Sequence, residues 1–207
     1  MIRPPFISLD GPDGAGKSTQ CRLLAAWLRG LGWPVVDCTD PGGTALGAQL
    51  RNILLNHKGA MALPCEALLF MASRAQLIDE VIRPALVEGK TVVSDRYLLA
   101  NVVYQGHAGG LDVEKLWRIG EVATTGIKPD LTFLLDIDPQ AATARIRRAP
   151  DRMESQGDDF RRRLRDGFLA EAARQPDRIR RINADQSIEA VQAEIRSAVE
   201  QFQRTES

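Results

Sequence analysis

The fold is decided by the stretch Phe6-Ile7-Ser8-Leu9-Asp10-Gly11-Pro12-Asp13-Gly14-Ala15-Gly16-Lys17-Ser18-Thr19. Its first five residues form a short apolar run that predicts a buried strand, and a segment with helical periodicity begins at Lys17. A GxxxxGKS pattern stands between the two, which is the context that a phosphate-binding loop requires. A glycine-rich turn without a ligand is the alternative, but spacing, lysine, serine and context all favour the phosphate site.

Each residue type in this loop has a chemical use. The glycines at 11, 14 and 16 let backbone N–H groups turn toward phosphates, and the following helix adds its positive N-terminal end. We expect Lys17 to be a solvent-facing cation that reaches the outer phosphates, and Ser18 to offer its hydroxyl to Mg²⁺. The predicted ATP-binding residues are Gly11, Pro12, Asp13, Gly14, Ala15, Gly16, Lys17, Ser18 and Thr19. The motif alone does not name the reaction, since ATPases, GTPases and small-molecule kinases share it.

Strand and helix patterns alternate along the rest of the chain, which is typical of an α/β fold with a parallel sheet. The predicted strands are Phe6 to Asp10, Val35 to Thr39, Thr91 to Asp95, Leu131 to Asp136 and Arg178 to Asn183. The predicted helices are Lys17 to Leu31, Ala45 to Leu55, Pro64 to Val87, Val113 to Thr125, Pro139 to Arg148, Asp159 to Arg174 and Ser187 to Arg204. No repeat or linker divides the 207 residues, so we predict one domain with a five-stranded parallel sheet flanked by helices.

Composition limits the classes of partner. The chain carries 27 basic and 27 acidic residues, so no global field favours a nucleic-acid polymer or an anionic membrane. No apolar run approaches the length of a membrane span, and the first residues lack a signal core, so we expect a cytoplasmic protein. Cys21, Cys38 and Cys65 are widely spaced, which predicts reduced, buried thiols and neither a disulfide framework nor a zinc site.

A second set of residues predicts a site for a second ligand, the molecule that would accept a phosphoryl group. Asp95 and Arg96 end a strand at the edge where an open α/β sheet binds ligands, so Asp95 could hold Mg²⁺ and Arg96 could grip a phosphate. Phe70 and Arg74 lie four residues apart on a helix and could present a ring and a planar cation to one guest. A surface ion pair and a core phenylalanine are the corresponding alternatives.

Together these residues resemble bacterial thymidylate kinases over nearly the whole chain. The blocks that carry the resemblance are the phosphate loop, Asp40-Pro41-Gly42-Gly43-Thr44, Leu50-Arg51, Phe70 with Arg74, Asp95-Arg96-Tyr97, Tyr104-Gln105-Gly106, Pro129-Asp130-Leu131-Thr132 with Leu135-Asp136, and Asp151-Arg152 with Glu154. The resemblance implies transfer of a phosphoryl group from ATP to dTMP with Mg²⁺, and a homodimer.

The same resemblance assigns roles to single residues. Phe70 would stack on thymine, Arg74 would hydrogen-bond it, and Tyr104 would pack near C2′ of the deoxyribose. Asp13 would orient the acceptor or its magnesium. The implied dTMP-binding residues are Asp13, Arg51, Phe70, Arg74, Arg96, Asn101, Tyr104 and Gln105, and the implied metal-binding residues are Ser18, Asp95 and Asp13.

A short lid at about residues 145 to 159 is rich in arginine, whose forked donors suit phosphate oxygens. The predicted catalytic residues are Lys17, Arg96, Arg152 and Asp13, with Arg148 as a further candidate. Thr39-Asp40 departs from the Arg-Glu of many relatives, and Ala100 stands where many have serine. A kinase for another nucleotide or nucleoside, and a nucleotide-binding regulatory module without turnover, are the alternative functions.

Overall fold

The computed structural model describes residues 4–146, 152 and 156–205. Five strands form one parallel sheet in the order β2-β3-β1-β4-β5, which confirms the predicted fold class. The strands are β1 Phe6–Asp10, β2 Val35–Thr39, β3 Thr91–Asp95, β4 Leu131–Asp136 and β5 Ile179–Asn183. Because β1 lies in the middle, the loop after it opens at the centre of the sheet edge, where open α/β folds bind ligands.

Helices connect the strands. They are α1 Lys17–Gly30, α2 Ala45–Asn56, α3 Leu63–Leu77, α4 Arg83–Val87, α5 Leu98–Asn101, α6 Val113–Thr124, α7 Pro139–Arg145, α8 Asp158–Arg174 and α9 Ile188–Thr205. Two helix starts are capped by side chains, since Asp138 accepts from the backbone N–H of Gln140 at 2.9 Å and Ser187 from that of Ala190 at 3.2 Å. The helix predicted to run from Pro139 to Arg148 ends at Arg145, because Ile146 is already extended; Arg148 itself lies outside the described residues.

Two π-helical segments interrupt the regular pattern. Ile78–Ile82 joins α3 to α4, so the long predicted helix Pro64 to Val87 is continuous with a π turn inside it. The segment Val102–Ala108 continues α5, and this helical stretch was missing from the prediction. All but one of its residues from Leu98 to Ala108 are buried, so it carries no amphipathic stripe for a periodicity argument to find.

The sheet separates two hydrophobic cores, because side chains alternate along a strand. Ile7 and Leu9 of β1 belong to the core shared with α1 and α9, whereas Phe6 belongs to the core shared with α3 and α6. A third cluster joins α8 to the π segment after α5. Within the described part of the chain, no helix is both long and apolar enough to cross a membrane.

The three cysteines are free thiols, but they differ in exposure. Cys21 is buried, Cys38 is partly buried and Cys65 is exposed. The prediction of buried thiols is therefore wrong for Cys65, which stands in the first turn of α3 with its side chain toward solvent.

Candidate active site

The loop from Gly11 to Gly16 lies close to the backbone of β4 at Leu135 and of α7 at Ala142. A Cβ atom at Gly11 would lie 2.6 Å from the carbonyl oxygen of Leu135, and one at Gly14 would lie 2.2 Å from that of Ala142. Both glycines have positive φ angles, of 141° and 83°. Glycine is thus required at both positions for two reasons, the positive φ angle and the lack of space for a Cβ atom. These reasons are more specific than the freedom to turn backbone N–H groups toward phosphates.

Lys17 begins α1 and is buried, with 6% of its surface exposed, so the expectation of a solvent-facing lysine is wrong. Its ammonium donates to the carbonyl of Pro12 at 2.7 Å and lies 3.9 Å from a carboxylate oxygen of Asp13. Burial and the neighbouring guanidinium of Arg96 lower the pKa of Lys17 to about 8, while the Asp13 carboxylate opposes this shift. The lysine is therefore a desolvated cation at the mouth of the phosphate loop.

Ser18 and Asp95 meet at the edge of the sheet, although 77 positions separate them. The Ser18 hydroxyl donates a hydrogen bond to Oδ2 of Asp95. The hydroxyl comes from the first turn of α1 and the carboxylate from the last residue of β3. The structure therefore brings together two of the three residues that the family resemblance implied for metal binding.

A donor pocket of about 960 Å³ opens beside the loop. The predicted residues from Asp13 to Thr19 line it together with Asp95, whereas Gly11 and Pro12 do not. Further lining residues come from elements that the motif does not reach: Thr39, Arg51, Arg96, Arg145, Ile146, Ala184, Gln186, Ser187, Ile188 and Val191. Arg145 is fixed there by a 2.9 Å hydrogen bond from its guanidinium to the carbonyl of Ala184.

Arg96 follows β3 in a left-handed conformation, with φ of 70°. This backbone region is sparsely populated by residues other than glycine, and such strain tends to be retained at functional sites. Its guanidinium donates to the Gly11 carbonyl at 3.0 Å, to Oδ1 of Asp13 at 2.6 Å and to the Tyr104 hydroxyl at 3.2 Å. Arg96 is thereby fixed directly beside the phosphate loop.

Asp13 uses both carboxylate oxygens within the protein. Oδ1 accepts from Arg96, and Oδ2 accepts from the Tyr104 hydroxyl at 3.0 Å. Burial opposes ionisation of Asp13, but the charges of Arg96 and Lys17 outweigh it and hold the pKa of the carboxyl well below its usual range. This engagement favours a role in orienting Arg96 over direct ligation of a metal.

An acceptor pocket of about 90 Å³ lies on the other side of Arg96. All eight residues that the family resemblance implied for dTMP binding line it: Asp13, Arg51, Phe70, Arg74, Arg96, Asn101, Tyr104 and Gln105. Asp40, Pro41, Leu55 and Ala100 complete the lining. Three residues, Asp13, Arg51 and Arg96, line both pockets, so the two cavities meet at two guanidinium groups and one carboxylate.

Phe70 and Arg74 face the acceptor pocket together, as their spacing on α3 predicted. Phe70 is partly buried and is not a member of the hydrophobic cores of the described chain, which favours a ligand-facing ring over a core residue. Arg74 is 1% exposed and donates to Asp40 at 2.6 Å and to Asn101 at 3.0 Å. Asp40, which stands where many relatives have Glu, is thus the partner of Arg74 in a buried ion pair.

Tyr104 has two sets of neighbours. Its hydroxyl contacts Asp13 and Arg96, and its ring lies 6.3 Å from the rings of both Phe160 and Phe168 on α8. The ring is 8% exposed and lines the acceptor pocket. Tyr104 therefore lines the acceptor pocket and also packs against α8.

Arg152, predicted as a catalytic cation of the lid, does not line either pocket. Its Nε donates to the carbonyl of Leu54 at 3.0 Å, and its guanidinium forms an ion pair with the carboxylate of Glu66. These contacts hold it against α2 and α3. Arg148, the other lid candidate, lies outside the described residues.

Comparison with known proteins gives a consistent result. The family model described as "Thymidylate kinase" matches residues 9–195. The thymidylate kinase of Bifidobacterium longum strain NCC 2705 is 46% identical over 201 residues, covering 95% of this chain and 98% of the relative. That of Rhodopirellula baltica is 45% identical over 197 residues, covering 95% and 80%.

A solved structure supports the same conclusion. The crystal structure of thymidylate kinase from Ehrlichia chaffeensis superposes with a TM-score of 0.79 at 29% identity, covering 95% of this chain and 98% of that one. With a family model over most of its length and relatives near 45% identity, this chain belongs to the thymidylate kinase family.

Proposed function

We propose that this protein transfers the γ-phosphoryl group of ATP to the 5′-phosphate of dTMP, giving ADP and dTDP. The observation that carries the proposal is the meeting of two pockets at Asp13, Arg51 and Arg96. The donor pocket contains a phosphate loop, and the acceptor pocket contains an aromatic ring and a base-binding arginine. The triphosphate of ATP in one pocket and the single phosphate of dTMP in the other would meet at the guanidinium groups of Arg51 and Arg96.

Positioning and charge account for the chemistry, since phosphoryl transfer needs little covalent participation by the protein. Lys17 neutralises the outer phosphates of the donor from within the loop. Arg96 and Arg51 hold the acceptor phosphate, and Asp13 keeps the Arg96 fork aimed at the junction. The donor groups of Lys17, Arg51 and Arg96 are already in place before the reaction, so little reorganisation of the protein is needed when charge spreads over the phosphoryl group in the transition state.

The residues present fit a magnesium ion. In the described part of the chain there is no cluster of three or more His, Cys, Asp or Glu side chains arranged for a metal. Mg²⁺ is usually held by one or two protein oxygens together with substrate phosphates, and Ser18 with Asp95 offers that set. When bound, the ion would neutralise charge on the phosphates. Asp13, the third residue that the resemblance implied for the metal, already accepts from Arg96 and Tyr104 with its two oxygens.

On the acceptor side, Phe70 would stack on thymine while Arg74 and Asn101 contact the base edge. Tyr104 would lie against C2′ of the sugar, where a ribose hydroxyl would meet carbon and lose its hydrogen-bond partners. On the donor side, Arg145, Ala184 and Gln186 are our candidates for contacts with adenine, since they line the donor pocket and not the acceptor pocket.

The predicted homodimer also belongs to this proposal. Exposed apolar side chains occur on three helices that pack side by side, with Leu46 and Ile53 on α2, Leu68 on α3, and Ile119 and Val122 on α6. A second copy covering this face would bury them. Light scattering during size-exclusion chromatography should give twice the 22.8 kDa chain mass, and Val122→Lys should shift it toward the monomer. A cytoplasmic location remains a prediction.

A coupled assay of ADP release with dTMP, dUMP, dCMP and thymidine tests the function. We expect dTMP to have the highest kcat/KM. A preference for thymidine, which lacks the phosphate, would favour a nucleoside kinase. Binding of both nucleotides with no ADP release would favour a regulatory module.

A further inference from the structure

A row of buried polar side chains runs from Arg74, which lines the acceptor pocket, to Glu66, which does not. Arg74 donates to Oδ1 of Asn101 at 3.0 Å, and Nδ2 of Asn101 donates to Oε1 of Gln105 at 2.7 Å. Nε2 of Gln105 then donates to Oε1 of Glu66 at 2.8 Å. None of the four residues is more than 3% exposed, so solvent does not compete for these hydrogen bonds.

The two ends of the row determine the direction of the hydrogen bonds between them. A guanidinium can only donate, so the atom of Asn101 that faces Arg74 has to be its oxygen. A carboxylate can only accept, so Gln105 has to turn its NH₂ group toward Glu66. Both amide orientations follow from these two constraints, and each supports the other.

Glu66 itself is held firmly. Its second carboxylate oxygen forms the ion pair with Arg152, and the backbone of Glu66 lies in the first turn of α3, where the helix dipole favours a negative charge. A buried carboxylate with donors on both oxygens keeps its charge paired. The Glu66 carboxylate is therefore a fixed acceptor for the amide of Gln105, which in turn accepts from Asn101.

We propose that Glu66 is a positioning residue for acceptor-base selection, an inference that rests on the proposed function. The polarity that Glu66 and Arg74 fix from the two ends places the Arg74 guanidinium and the Asn101 oxygen side by side in the lining of the acceptor pocket. A base edge with a carbonyl beside an N–H, as in thymine, complements that pair. Cytosine presents an amine beside an unprotonated ring nitrogen, which opposes both groups.

Glu66→Gln tests the proposal, because glutamine has nearly the same shape but can turn either an oxygen or an NH₂ group toward Gln105. With the acceptor-only end lost, only Arg74 fixes the direction of the hydrogen bonds, and the amide of Gln105 loses its charged partner. We expect KM for dTMP to rise, the KM for ATP to stay within twofold, and the kcat/KM ratio of dTMP over dCMP to fall about fivefold or more. The inhibition constant of dCMP against dTMP gives a second reading of the same selectivity.

Glu88→Gln, the same change at an exposed turn, should leave the selectivity ratio and both KM values unchanged. If Glu66→Gln does not fold, Glu66→Asp keeps the buried charge but withdraws the carboxylate, and should lower the ratio in the same direction. An unchanged ratio in a folded Glu66 variant would overturn this inference. A wild-type protein that does not phosphorylate dTMP would instead overturn the proposed function.

Discussion

Arg96 donates to the carboxylate of Asp13 over 2.6 Å, and both residues line the donor pocket and the acceptor pocket. Arg96 comes from the end of β3 and Asp13 from the loop after β1, the strand beside it in the sheet. The pair thus uses the parallel sheet itself to place a fixed guanidinium between the two phosphate sites. This relationship leads to the predictions that follow.

Arg96→Lys should lower kcat/KM for dTMP by about a hundredfold or more, because an ammonium cannot bridge Gly11, Asp13 and a phosphate as a forked guanidinium does. Arg29→Lys makes the same change on an exposed arginine of α1 and should leave kinetics unchanged. Steady-state assays with both variants measure the difference. Equal, small effects in the two would remove Arg96 from the phosphate site.

Lys17→Met should lower kcat by about a hundredfold or more, and it should also abolish a proton uptake on ATP binding. The pKa of Lys17 lies at about 8 in the free protein, so at pH 8 about half of the molecules carry the neutral amine. Bound phosphates raise that pKa, so wild-type protein should take up about half a proton per ATP at pH 8 and less at pH 6.5. Calorimetry in buffers of different ionisation enthalpy measures the uptake. Proton release at pH 8, or an equal uptake in Lys17→Met, would contradict this assignment.

Phe70→Ala should weaken dTMP binding by about 1 to 3 kcal/mol, the range for loss of one aromatic stack on a base. ATP binding should be unchanged, because Phe70 does not line the donor pocket. Titration calorimetry of each nucleotide provides the measurement. If both affinities fall together with the melting temperature, Phe70 is a packing residue.

Arg152→Ala should raise KM for dTMP about threefold to tenfold and leave kcat within about threefold, because Arg152 is tied to Glu66 and the Leu54 carbonyl and lines neither pocket. Arg162→Ala, which removes an exposed arginine of α8, is the matched control. A kcat reduced a hundredfold at unchanged KM would restore the catalytic role predicted from the sequence.

The strand–loop–helix around Lys17 was predictable because the motif, its glycines and its context are all local in the chain. The acceptor residues were predictable from the ordered family motifs, and all eight line one pocket. The helical stretch from Leu98 to Ala108 was missed because burial on all sides removes the periodic signal.

Glu66 and the position of Arg152 were missed for another reason. The Glu66 contacts join positions 39 and 86 residues apart, and no spacing rule predicts which glutamate becomes the partner of a given amide. The motif around Lys17 likewise indicated a phosphate ligand but not the burial of the lysine side chain. That burial depends on how the loop folds, which brings the Pro12 carbonyl to the Lys17 ammonium.

The most direct test of the two-pocket account is calorimetric titration with adenosine and thymidine joined through five phosphates at their 5′ positions. If the pockets meet at Asp13, Arg51 and Arg96, one molecule should bind per chain, more tightly than either ATP or dTMP, and should displace both. Two molecules per chain, or displacement of one nucleotide alone, would contradict direct transfer between adjoining sites.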